Sequence, residues 1–224
     1  MAEPTEPAAV RARRLPGGLL LAAGLVATGL VLLFTIGVTK PGQPGPATAS
    51  AQPVPPAGAQ PVVPPGVVAP KPAVVAPPDR PRASDLAALD SWARGLATPT
   101  RLPANILAAY GRAEMWLREL APGCHLSWVT LAGIGQVQAV GSGPLPVPDQ
   151  LWQHWSARAS SDGEPPDPRD VDDAALTAAR ALCSGGADLT TDQGWWTAVL
   201  GYTQSATDTR DALTAATTYA TATP

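Results

Sequence analysis

Apolar and polar positions divide this chain into three stretches of different character. From Leu15 to Val38 the run "LPGGLLLAAGLVATGLVLLFTIGV" carries no charge. It is long enough to cross a hydrocarbon core as a helix. From residue 39 to 83 no periodicity survives, because prolines recur in short Pro/Val/Ala/Gln units such as "QPVPPAGAQPVVPPGVVAP". Dense proline prevents helices and ladders and favours extended polyproline II. From residue 84 onward apolar residues return at helical spacing, and no alternating β-branched run appears.

That last stretch predicts an all-α domain over 84–224. Ser84 or Asp85 is placed to cap "LAALDSWARGL". Pro103 opens "PANILAAYGRAEMWLREL", with Ile106, Tyr110, Ala113, Leu117 and Leu120 on one face and Pro122-Gly123 as the stop. Ser127 caps "WVTLAGIGQVQ", Asp149 caps "QLWQHWSARA", and Asp170 caps "VDDAALTAARALC", which Gly185-Gly186 ends. "DQGWWTAVLGYTQ" and "TRDALTAATTYA" supply two more helices. Among the tryptophans, spacing puts Trp152 and Trp195 in the core. Trp196, adjacent to Trp195, is expected on an exposed face, where an indole can stack on a sugar ring.

Charge sharpens the organisation. Arg11, Arg13 and Arg14 precede the apolar run, so residues 1–14 are expected in the cytoplasm, 15–38 across the membrane as a single pass, and the C-terminal domain outside. A cleaved signal processed at Ala47-Thr48-Ala49 is the alternative. Residues 39–83 then read as a disordered spacer of reach on the order of 130 Å at ~3.1 Å per residue. Docking of its proline motifs is the second reading. Residues 84–224 hold eight Arg, no Lys and fifteen Asp/Glu, a net charge of −7 that argues against nucleic acid as a partner.

Two cysteines, Cys124 and Cys183, read in an exported domain as one disulfide. A zinc site would need more ligands than His125, adjacent to Cys124, and His154 supply. No metal or other cofactor is expected. "GSGP" at Gly141–Pro144 lacks the spacing of a nucleophile elbow and the Lys of a phosphate loop. "DGEPPDPRDVDD", Asp162–Asp173, reads as a solvated acidic loop leading to a helix cap, with a weak calcium site as its alternative.

Four segments in order resemble the lytic murein transglycosylases of actinobacteria, within the lysozyme-like superfamily. "TRLPANILAAYGRA" is similar to the family's opening helix, and "PGCHLSWVTLAGIGQVQA" to Pro-Gly-Cys-x-Leu-x-Trp-x-Leu-Leu-Ala-x-Ile-Gly-x-Val-Glu-Ser. "DPRDVDDAALTAARALCSGGADL" is similar to the segment bearing its second Cys, and "GWWTAVLGYTQSATDTRDAL" to Trp-x-x-Ala-Val-x-x-Tyr-Asn. The resemblance implies a lysozyme-like helical domain acting on peptidoglycan. It also places the departures in the site. Gln138 stands where the family has its catalytic glutamate, Pro146 where it has a glutamine, and Thr203, after Tyr202, where it has an asparagine. An amide neither gives nor takes a catalytic proton. The resemblance therefore implies a pseudoenzyme, with no catalytic residue expected and Gln138, Ser142, Trp152, Trp196, Tyr202 and Thr203 as candidates for binding peptidoglycan or a cell-wall protein. The alternative is an active enzyme in which Asp149, Asp162 or Glu164 replaces the missing acid.

Overall fold

Eight successive residues, Trp128 to Gly135, are buried in one helix, and this helix is the axis of the fold. A helix buried on every side must be surrounded, and the rest of the chain does this. The computed structural model describes residues 61–73, 75–79, 83–138 and 145–222. The expected membrane span at 15–38, the processing site at 47–49, the spacer before residue 61 and Ser142 lie outside these residues. All described residues belong to one unit, Val54–Pro224.

The described residues form α1 (Ala83–Thr100), α2 (Ala104–Leu120), a 3₁₀ turn (Pro122–Cys124), α3 (Trp128–Gln138), α4 (Asp149–Trp155), α5 (Val171–Cys183), α6 (Asp192–Thr203) and α7 (Ala206–Thr221). None is a strand, and the all-α expectation holds. Among the described residues no helix is long and apolar enough to cross a membrane.

Local chemistry sets most boundaries. Asp170 caps α5 through the amides of Asp172 and Asp173, and Ser205 caps α7 through that of Asp208. At α5's other end Gly186 takes a positive φ of 67° and its amide bonds the Cys183 carbonyl. Three expectations are corrected. α1 begins at Ala83, so Ser84 and Asp85 stand within its first turn rather than before it. Asp149 is the first residue of α4 and not its cap; Pro148 holds that place, and α4 stops at Trp155. Leu120 is 64% exposed because α2 ends there and the chain turns away into the 3₁₀ turn.

α7 lies along one side of α3 and α2 along the other. A Cβ added to Gly133 would come within 2.5 Å of the Ala212 carbonyl oxygen and 2.9 Å of the Ala216 Cβ, so the two backbones nearly touch. Gly111 plays the same part between α2 and α1, where Trp92 presses on it. The N-terminus of α3 is held by a buried carboxylate: Glu114 Oε2 accepts from the Trp128 amide at 2.6 Å, while Oε1 pairs with Arg118. This places negative charge at the positive end of a helix dipole. Ser127, expected as the cap, contributes its carbonyl to the Thr130 amide.

Cys124 and Cys183 are bonded, with Cα atoms 5.5 Å apart, joining the turn before α3 to the end of α5. In the chain-entropy picture a closure of this length stabilises the fold by ~4 kcal/mol. The amide of Leu189 bonds the Cys124 carbonyl at 2.9 Å and reinforces the same junction.

The proline-rich segment departs most from expectation. Residues 61–79 are not free of the helices: Val67, Ala69, Pro70, Ala73 and Pro77 are buried. The Ala69 amide donates to Asp192 Oδ1 at 2.8 Å, Gln193 Nε2 to the Pro61 carbonyl at 3.0 Å, and Arg118 Nη1 to the carbonyls of Pro77 and Pro78. Polyproline geometry leaves its carbonyls without internal partners, and long polar side chains at two helix ends supply donors. Small apolar side chains then fit the shallow hollows between helices. The spacer reading is corrected for these residues.

Two measurements test this packing. Gly133→Val should lower unfolding free energy by ~1–3 kcal/mol through overpacking against α7. Gly201→Ala, at an exposed position in the last turn of α6 where an added Cβ meets nothing within 4 Å, should raise it by ~0.5 kcal/mol. Urea titration separates the two directions.

Glu114 supplies a pH signature. Burial pushes its carboxyl above the usual carboxylate range, against the opposing pull of Arg118 and the Trp128 amide. A folded pKa above the unfolded one means the native state binds more protons between the two values, so stability falls as pH rises through that window. Glu114→Gln removes this slope, and the variant should gain on the wild type with rising pH in urea melts over the acidic range.

Candidate functional site

Three tyrosines from three helices converge on the last turns of α3. α6 begins beside α3's first turn, where Trp195 Nε1 donates to Thr130 Oγ1 at 3.1 Å. It ends at Tyr202, whose hydroxyl donates to the Pro146 carbonyl at 2.7 Å. Tyr110 of α2 lies directly over Gly135: a Cβ there would stand 2.5 Å from the phenol oxygen and 3.4 Å from Leu145 Cδ1. Glycine is required here because the phenol occupies the space a side chain would need. Tyr219 of α7 donates to Gln136 Oε1 at 2.8 Å while its ring tilts against Trp128, centroids 6.3 Å apart.

Burial, with a smaller contribution from the neighbouring tyrosines, pushes the Tyr110 and Tyr202 phenols well above their ordinary value. Both stay protonated through the physiological range and cannot act as bases. Gln138 closes α3 at this end, half-buried, and makes no hydrogen bond among the described residues. The site thus offers phenols and amides, and no titrating group among the described residues from Tyr110, Tyr202, Tyr219, Gln136 and Gln138 works near neutral pH.

The other expected residues are scattered. Thr203 follows Tyr202, but its hydroxyl is occupied by the Ser205 carbonyl, the Ser205 amide and Thr209 Oγ1, where it shapes the turn into α7. The two tryptophans reverse their expected places. Trp152 is half-buried on α4, a helix with no buried residue. Trp196 is 2% exposed, with the Arg210 guanidinium 5.7 Å from its ring centroid. Adjacent residues on a helix differ by only about 100°, so both Trp195 and Trp196 fit inside a wide buried arc.

The acidic loop has a structural task. Asp173, 1% exposed, accepts from the Ala159 and Asp167 amides and from Arg158 Nη1, each at 2.8 Å. Arg158 also holds Asp162 through two bonds, which together with Ser160 keep the Asp162 carboxyl far below its usual value. Glu164 is exposed, and its amide donates to Asp162. Of the three proposed surrogate acids, Asp149 alone lies on the 145–149 segment that Tyr202 fixes. His125 pairs with Asp188 at 3.0 Å; together with Thr190 it brings that carboxyl down to about 2, with Thr190 the larger cause. His154 bonds its own helix at the Gln150 carbonyl. Among the described residues no group of three or more His, Cys, Asp and Glu is placed to hold a metal.

The sequence reading missed Tyr110 and Tyr219 as members of this cluster. Tyr110 lay on the expected buried face of α2, which signalled packing and nothing more; Tyr219 reaches Gln136 from 83 residues away, and no local pattern reports that.

No protein-family model, curated protein or solved structure matches this chain.

The two polar ends behave differently on substitution. Tyr202→Phe should cost ~0.5–1.5 kcal/mol, because the Pro146 carbonyl loses its donor. Gln138→Ala should stay within ~0.5 kcal/mol of wild type, since that amide is bonded to nothing described. Equal losses in chemical denaturation would show Gln138 to be structural.

Proposed function

We propose that residues 84–224 form a lysozyme-like domain related to lytic transglycosylases that binds peptidoglycan, or a cell-wall protein, without cleaving glycan. One observation carries the reading: the central helix, met near its last turns by Tyr110 at Gly135 and Tyr219 at Gln136, ends in a glutamine whose side chain bonds none of the described residues. A half-buried helix terminus beside fixed phenols is where a ligand could be met, and an amide there can bind a sugar's polar groups but cannot transfer a proton. The four resembling segments support it by where they fall. They correspond to α2, the turn with α3, α5, and α6 with α7, and the disulfide joins the two that carry cysteine.

The fold also supports an outward-facing arrangement. α3 and α6 run in the same direction, and the proline-rich strap is tied at Asp192 and Gln193, where α6 begins. Gln138 is at the other end of α3, about 15 Å away along the helix axis. The chain that enters the domain is thus held at the end opposite Gln138, and residues 15–38 are the proposed membrane anchor. The protein is then a single-pass membrane protein whose C-terminal domain is extracellular, with no cofactor and no nucleic-acid partner.

The second reading, an active enzyme with a surrogate acid, is favoured by one contact alone. Tyr202 fixes the segment that carries Asp149, whereas Arg158 engages Asp162. Incubation with purified peptidoglycan, followed by sedimentation and scoring for 1,6-anhydro-muropeptides, separates the two. The protein should co-sediment and release no such product, and Gln138→Glu should restore little, since positioning as well as a proton is needed and is worth several kcal/mol. Product that disappears in Asp149→Asn would establish the enzyme. Family-like turnover from Gln138→Glu would show the groove intact.

A further inference from the structure

We propose a second saccharide site, built around Trp116 on the face of α2 turned away from α3. Trp116 follows Glu114 by two residues, about 200° around the helix, so it points opposite to the carboxylate that caps α3. It is half-buried and forms the ridge between two adjoining hollows of about 290 and 260 Å³. Each is near the lower end of ligand-pocket sizes, and the two share one indole.

The lining is amphipathic in the manner a pyranose demands. Leu86, 42% exposed, joins the indole to form an apolar wall in the first hollow, with the buried Met115 behind it. Facing them is an ion pair between Arg112 and Asp172. Asp172 Oδ1 is enclosed against Arg112, while the side chain as a whole is 32% exposed, so Oδ2, which no hydrogen bond occupies among the described residues, is the acceptor left open. Arg112 makes only this pairing among the described residues. In the second hollow Arg180 uses Nη1 on the carbonyls of Trp155 and Ser156, which fixes the guanidinium while its other nitrogens remain unused. An aromatic surface bordered by rigid donors and an acceptor matches a ring with one C–H face and equatorial hydroxyls. A purely apolar ligand would cover the Asp172 Oδ2 oxygen without replacing its water, and a phosphate would meet Asp172 and Asp170 at the first hollow.

The ligand class is a neutral hexopyranose or N-acetylhexosamine chain spanning two rings. This site stands on its own residues and does not depend on the role proposed for Gln138. The test is a titration of the full chain in detergent with the N-acetylglucosamine tetramer, read by isothermal calorimetry and by the indole N–H signals in two-dimensional NMR. Binding should shift the Trp116 signal. Trp116→Ala should weaken affinity about tenfold, while Trp116→Phe, which keeps the aromatic face, should stay within about threefold. Leu86→Glu, at an exposed position, should weaken binding without altering the melting temperature, and this variant decides the matter if Trp116→Ala unfolds. Gln138→Ala should leave Trp116 binding unchanged. Two results overturn the proposal: no binding by the wild type at millimolar tetramer, or affinity lost in Gln138→Ala and kept in both Trp116→Ala and Leu86→Glu. The second would leave the glutamine reading standing, and loss confined to the Trp116 and Leu86 variants would leave this one standing.

Discussion

The near-contact of α3 with α7 at Gly133 is the constraint on which the rest depends. With a Cβ at that position the Ala212 carbonyl would be pushed away and the axis of the fold would lose its largest partner. Because α7 can lie so close, α3 is sealed on that side, and α2 and α5 need only close the other. The seal removes α3's first turn from easy solvation. Its N-terminal Trp128 amide is therefore met by a carboxylate from another helix, Glu114, whereas its more open C-terminal end meets one phenol bond, from Tyr219 to Gln136. The same burial that makes the core makes the first turn into a site where each polar group needs a placed partner.

Arg118 links this core to the proline-rich strap. One guanidinium pairs with Glu114 and donates to the Pro77 and Pro78 carbonyls, so the residue that steadies α3's cap also holds the chain leading into α1. With the Ala69–Asp192 and Gln193–Pro61 bonds, the strap is also tied to the start of α6. The two ends thus differ in their polar partners: placed donors and acceptors at one, and at the other an amide side chain that bonds none of the described residues.

Much of this was legible in the sequence. The seven helices of the described residues, the cap at Asp170 and the glycine stop after α5 follow from local rules, because capping and termination act over a few residues, and a chain with only two cysteines allows a single pairing. Where the reading failed, the deciding interaction was long-range. Asp149 looked like a cap by type, yet Pro148 ends the preceding chain and moves it one place inward. Trp196 looked exposed because Trp195 was buried, but a helix packed on two sides can hide both. The strap looked like a spacer because proline excludes secondary structure; that rule says nothing about side chains elsewhere that satisfy its carbonyls. The sequence singled out Gln138 but not Tyr110 and Tyr219, since their hydroxyls enter the cluster through the angles at which helices cross.

The central claim is that Gln138 is a binding group at the end of a rigid, buried helix. Its side-chain amide resonances in ¹⁵N-labelled protein, followed during titration with intact peptidoglycan fragments, test this most directly. The account predicts that the Gln138 Nε2 signals move with ligand, that the Gln136 amide held by Tyr219 moves less, and that the fragments keep their mass throughout. Unmoved Gln138 signals at saturating fragment, or fragments that shorten as the titration proceeds, would contradict it.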